Sequence, residues 1–164
     1  MHVDNSFIWY LLFMQNKQGK LQKFLALSSN EKKLIFKVAG LLLVVRISLI
    51  LLPFRTVIKR IESVQPGKGL AGDPSELVCE RVGWAVKVAR RYMPFAKCLP
   101  QAVVAKILLA RQACPAQLRI GVYKTENGAL EAHAWVESEG RIVIGELSDI
   151  SRFSPLPSIT GKEL

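Results

Sequence analysis

Apolar and polar positions along this chain follow a helical period in the first two thirds and a period of two after residue 116. The stretch Leu34 to Leu52 is very apolar, interrupted by Lys37 and Arg46 and closed by Pro53. Ser29 or Asn30 is placed to cap it, with Glu31 in the first turn near the positive helix end. Gln65 to Gly72 is a Pro/Gly-rich break that reads as a linker. Asp73–Pro74 then opens a second helix, since Asp caps and Pro suits the first helical position. Its apolar face is Val78, Val82, Ala85, Ala89 and Tyr92, and Pro94 ends it. A third helix starts at Cys98, continues through Ala102 to Leu109, and closes at Cys114–Pro115.

The period then changes. Leu118, Ile120 and Val122 alternate with Gln117, Arg119 and Gly121, which predicts a strand. Asn127–Gly128 is a hairpin signal, Leu130 to Glu137 a second strand, Glu139–Gly140 a second turn, and Arg141 to Ile144 a third strand. Helices followed by an antiparallel meander define an α+β fold. No internal repeat or low-complexity segment is present.

The 164 residues, half of them hydrophobic, fit one compact domain plus an appendage. The pattern divides them into a poorly ordered extension (1–27), an apolar and basic helical region with its linker (28–72), a core (73–157) and a tail (158–164). The extension carries a short aromatic run, Phe7 to Phe13, without a signal-peptide cleavage pattern. Three cysteines, none in a C-x-x-C pair, support neither a disulfide framework nor a zinc site. An odd cysteine count without a secretory signal suits a reducing cytoplasm.

Charge changes the picture. Residues 1–97 hold 16 Lys/Arg against 6 Asp/Glu, and residues 98–164 hold 7 against 7. The one-sided excess suggests an acidic peptide or protein or a membrane surface as partner, or simply a solvated helical face. Nucleic acid fits least, because the basic residues are interleaved with aliphatics rather than aromatics. For Leu34–Leu52, a membrane span needs ~20 apolar residues, and a central Arg costs roughly 2.5–3.5 kcal/mol on insertion scales. The pattern favours a helix buried against the domain, or lying at the inner membrane face, over a true span.

The chemistry centres on one cysteine. A nucleophilic cysteine must be a thiolate, and a helix N-terminus favours that form. Cys98 heads its helix, where unpaired N–H groups and the dipole point. Cys114 sits at the opposite end and Cys79 inside a helix, where a small buried cysteine is the ordinary outcome. His2 is at the terminus, so His133 is the histidine available as a base. On an extended strand His133, Trp135 and Glu137 share a face, with Ala132, Ala134 and Val136 on the other.

A third group should orient the imidazole. A two-residue Glu139–Gly140 loop pairs Ser138 with Arg141, Trp135 with Ile144 and His133 with Glu146; a one-residue bulge substitutes Gly145. Glu146 is the preferred third member and Asp149 the runner-up, and both also fit solvent-facing loop positions.

Cys98-Leu-Pro-Gln-Ala, Leu108-Leu-Ala-Arg, Leu118-Arg-Ile-Gly-Val, Ala132-His-Ala-Trp-Val-Glu and Gly140-Arg-Ile-Val-Ile-Gly together resemble the transglutaminase-like leader peptidases of lasso-peptide biosynthesis. The helix Glu80 to Tyr92 and the apolar region ending Leu52-Pro-Phe-Arg are similar too, so the resemblance covers roughly residues 28–157. It implies a transglutaminase-like, papain-like cysteine hydrolase core and removal of a leader from a ribosomally made precursor peptide. It also implies a Cys-His-Asp triad without cofactor or metal, with Cys98 and His133 in the first two places. A macrolactam synthetase resembling asparagine synthetase would then close the ring. The family's aspartate is missing where the chain reads Ile144-Gly-Glu, which leaves Glu146, Asp149 or a dyad. No fused leader-binding domain is evident, which implies a separate small recognition protein. Acyl transfer by the same Cys-His pair, and an inactive peptide-binding module, are the competing readings.

Overall fold

The computed structural model describes residues 25, 27–64, 67, 75–93 and 95–156. His2, the rest of the extension apart from Leu25 and Leu27, Asp73, Pro74, Pro94, the tail from 157 and the linker apart from Gly67 lie outside the described residues. The chain divides into two units, Met1–Leu34 and Ile35–Leu164.

In the first unit, helix α1 (Ser29–Leu51) begins. Its cap is Ser28 rather than Ser29 or Asn30. The Glu31 N–H donates to Ser28 Oγ (3.2 Å) and the Ser28 N–H to Glu31 Oε2 (2.8 Å). Only Ser28 stands three residues before Glu31, the spacing that lets the two side chains cap each other's backbone.

The second unit carries the rest of α1, with Ile35, Val38, Leu42 and Val45 buried. Pro53 ends that run and precedes α2 (Phe54–Glu62), which buries Val57, Ile58 and Ile61 and places Lys59 and Arg60 in its last turn, where the dipole favours cations. Helix α3 (Ser75–Arg90) buries Val78, Val82, Ala85 and Ala89 as the periodicity predicts. Tyr92, assigned to the same face, instead lies past the helix end and is exposed. Helix α4 (Cys98–Arg111) is apolar almost all round, and Ala102, Val103, Val104, Ala105 and Leu109 are fully buried. A helix without a polar face belongs in a core. Helix α4 accordingly packs between α3 and the sheet. Truncating one of its buried valines to Ala removes methyl groups worth about 1–2 kcal/mol or more.

The sheet is antiparallel, in the order β3-β2-β1-β4. Strands β1 (Gln117–Lys124), β2 (Leu130–Ser138) and β3 (Arg141–Ile144) are the expected ones, and β4 (Ser154–Pro155) adds a short fourth beside β1. Glu139 and Gly140 both have positive φ (49° and 77°), the signature of a two-residue type I′ turn. Ser138 therefore pairs with Arg141. Beyond that the register slips: Glu137 faces Ile142 and Val136 faces Ile144, so Val143 is an extra residue in β3. Trp135 does not pair with Ile144, and β3 ends before Glu146 comes opposite His133. The slip has a packing cause. Gly83 of α3 lies so close to β3 that a Cβ there would stand 2.8 Å from the Val143 carbonyl oxygen. The edge strand bulges where the helix presses on it. Helices then an antiparallel sheet make this an α+β fold.

Candidate active site

Cys98 is the first residue of α4, and the preceding Lys97 is extended (φ −66°, ψ −174°). N–H groups in a first turn lack intrahelical partners, and Pro100 has none to offer. Cys98 and Leu99 are thus the first-turn donors nearest the thiol. The approach to Cys98 is fixed by buried Gln101, whose Nε2 donates to the carbonyls of Ala96 (2.5 Å) and Lys97 (3.1 Å). Cys98 itself is half-buried. The other cysteines differ. Burial pushes the Cys114 thiol up, and neighbouring Cys79, with which it is hydrogen-bonded, adds to the shift. Among the described residues no cluster of three or more His, Cys, Asp or Glu side chains is placed to hold a metal ion.

His133 lies on β2 opposite Gly121 of β1, and α4 packs against β2. Its ring stacks on Trp135 (centroids 6.1 Å apart, 15° between planes) and tilts against Phe153 (5.5 Å). Gly121 makes room for this arrangement, because a Cβ there would come within 2.9 Å of Phe153 Cβ and 3.0 Å of the Trp135 ring. Trp135 is fixed in turn by its Nε1–H, which donates to Glu137 Oε1 (2.7 Å), and Arg119 Nε holds the other Glu137 oxygen at 3.2 Å. Ala134 and Val136 turn to the opposite face and are buried.

The imidazole has a backbone partner: Nε2 stands 2.7 Å from the Gly145 carbonyl oxygen. A carbonyl only accepts, so Nε2 carries the proton and the neutral ring keeps its lone pair on Nδ1. Glu146 is exposed and Asp149 is ion-paired with Arg152; neither is hydrogen-bonded to His133. The structure sets the helix of Cys98 against the strand of His133, and among the described residues no hydrogen bond joins thiol to imidazole.

Gly145, Gly121, Phe153 and Gln101 were not singled out by sequence reasoning as orienting groups. Gly145 entered only as a bulge alternative, and Phe153 acts from 20 residues downstream of His133, beyond any local pattern. Trp135 was legible, since a spacing of two puts it on the imidazole's face.

Comparisons with curated proteins and with solved structures give no match. A family model described as transglutaminase-like superfamily matches residues 41–158, a span that includes Cys98, His133 and Gly145. Members are generally cysteine-dependent enzymes with a protease-like or acyl-transfer fold. With that match covering most of the chain, over the helices and sheet described above, this protein belongs to the transglutaminase-like superfamily.

Proposed function

We propose that this chain is a cysteine peptidase that removes the leader from a ribosomally made lasso precursor before macrolactam closure. The observation that carries the reading is His133, held by the Gly145 carbonyl in the tautomer a general base needs, on the strand against which the Cys98 helix packs. Motif similarity supplies the substrate class.

In the proposed reaction Nδ1 of His133 takes the proton of the Cys98 thiol, and the thiolate attacks the scissile carbonyl carbon at the leader–core junction. The oxyanion so formed accepts hydrogen bonds from the N–H groups of Cys98 and Leu99. The imidazolium of His133 gives its Nδ1 proton to the leaving amine, the C–N bond breaks, and a thioester remains. His133 then takes a proton from water, the hydroxide adds to the thioester, and the C–S bond breaks. The products are the leader carboxylate and a core peptide with a free amine, on which an asparagine-synthetase-like enzyme would act. Nε2 keeps its proton throughout, donated to Gly145. Catalytic hydrogen bonds are commonly long in ligand-free enzymes and tighten when substrate binds; the proposed mechanism requires Cys98 and His133 to come within proton-transfer reach in the Michaelis complex.

The test is a reconstituted cleavage assay with precursor peptide and the separate recognition protein. Wild-type protein releases leader, and Cys98→Ala and His133→Ala do not. Full cleavage by Cys98→Ala would end the proposal. Product mass distinguishes hydrolysis from transfer to an amine. Iodoacetamide labelling at pH 6 separates an active thiol from an inert binding module: with precursor and recognition protein present, Cys98 labels ahead of Cys114, whose thiolate burial disfavours.

A further inference from the structure

We propose that the outer face of α1 docks this protein in the plane of an anionic lipid bilayer, a property separate from the peptidase chemistry. Leu43, Val44, Ile47, Ile50 and Leu51 fall on one stripe of the helix and are between 45% and 73% exposed. Such spacing brings them together along one side. Gly40 extends the stripe, with no atom near the position of its missing Cβ. Contiguous apolar surface of this kind marks a contact face.

Charge selects the occupant. Residues 32–61 contain seven Lys/Arg and no Asp/Glu. Lys37 is exposed near one end of the stripe, and Arg55, Lys59 and Arg60 are exposed just beyond the other. The helix is apolar on its covered side as well as its exposed one, so what it offers a lipid surface is this outer stripe with cations near both ends: anionic headgroups would meet the cations and acyl chains the aliphatics. A second copy of the chain would bring two such cationic segments together, which opposes self-association through this face.

The helix is also long and apolar enough, by length and composition, to cross a bilayer. The fold argues for lying on the surface instead. Ile35, Val38, Leu42 and Val45 are at most 6% exposed, so one side of the helix is already covered and only the other is open to lipid. At its C-terminal end α1 is followed directly by α2, which buries Val57, Ile58 and Ile61 and packs against α4.

The experiment is co-sedimentation of the full chain with vesicles of phosphatidylcholine plus phosphatidylglycerol, against vesicles of phosphatidylcholine alone. Binding to the anionic vesicles that weakens with salt is expected. The exposed double substitution Ile47→Glu/Ile50→Glu should lower that binding on the order of 100-fold, with an unchanged circular dichroism spectrum and unchanged vesicle-free cleavage. Cys98→Ala should bind vesicles as wild type does, which keeps this test independent of the active-site assignment. No anionic-vesicle binding, or equal binding by the double variant, overturns the proposal. Resistance to alkaline carbonate extraction would make α1 a span and overturn it too. So would a dimer that the double variant abolishes in the absence of lipid binding.

Discussion

His133 and Gly145 are joined side chain to main chain, Nε2 to carbonyl oxygen at 2.7 Å. In the proposed mechanism a residue without a side chain thereby takes the orienting task that a carboxylate performs in a triad. Gly145 reaches this position in the left-handed region (φ 86°), directly after the end of β3. A side chain at 145 would stand 2.7 Å from the Ala134 carbonyl oxygen and 2.8 Å from Trp135 Cβ.

Gly145→Ala therefore combines backbone strain with collision. A destabilisation of about 1–3 kcal/mol is expected, read as a lowered midpoint in urea. The cleavage rate should fall about tenfold or more below that of a control variant of equal stability, because the shifted carbonyl no longer fixes the imidazole. Equal rates for the two variants would remove Gly145 from the machinery.

The carboxylates nearby give the complementary test. Glu146→Gln and Asp149→Asn each remove a charge that is not hydrogen-bonded to His133. Each should keep kcat/KM within about threefold of wild type, far from the losses seen when the acid of a working triad is replaced. A drop of about 1,000-fold or more in either variant would identify a third member that swings in with substrate.

What was legible in the sequence follows from range. The helix headed by Cys98, its all-apolar interior and the two hairpin turns are set by residues within a few positions of one another, and periodicity and turn chemistry capture them. The register beside His133 is not local. It depends on Gly83 of α3 pressing on Val143, 60 residues later in the chain, and the resulting bulge changes what faces Trp135 and His133. Phe153 reaches the imidazole only after the chain has passed the 3-10 turn Ile150–Arg152, in the one residue between it and β4. The α1 cap moved one residue because Glu31 chooses its partner by spacing, which the apolar run does not reveal.

That cap has a pH signature. The Ser28 hydroxyl, and after it the Ser28 backbone N–H, hold the Glu31 carboxyl below its ordinary value. A depressed folded-state value means stabilisation present above the unfolded value of 4.5 and lost as pH falls through the lowered one. Amide hydrogen exchange at the start of α1 should therefore accelerate, beyond its intrinsic pH dependence, as the solution is acidified below that range. Glu31→Gln should abolish this acid-dependent loss of protection, because it leaves no carboxylate to protonate. An unchanged acid response in Glu31→Gln would show that this carboxylate does not hold the helix end.

Gln101 holds the backbone that leads into Cys98. Its amide nitrogen donates to two carbonyls, those of Ala96 and Lys97, in the two residues before Cys98. Gln101→Leu keeps the approximate volume and leaves both acceptors without this donor, which costs about 1–3 kcal/mol when such a group stays buried. Gln101→Glu presents a carboxylate where a donor is needed, so repulsion from both carbonyls makes it the worse substitution. Gln101 touches no reacting atom in the proposed mechanism, so its effect on chemistry runs through the position of Cys98. A purely structural role predicts a lower melting temperature for Gln101→Leu with an unchanged rate of Cys98 alkylation at temperatures where the variant is fully folded. A positioning role predicts that the alkylation rate and its pH midpoint shift as well, and that kcat falls more than KM rises. The second pattern is expected, because the carbonyls that Gln101 holds belong to the peptide units leading directly into the helix start that presents the thiol.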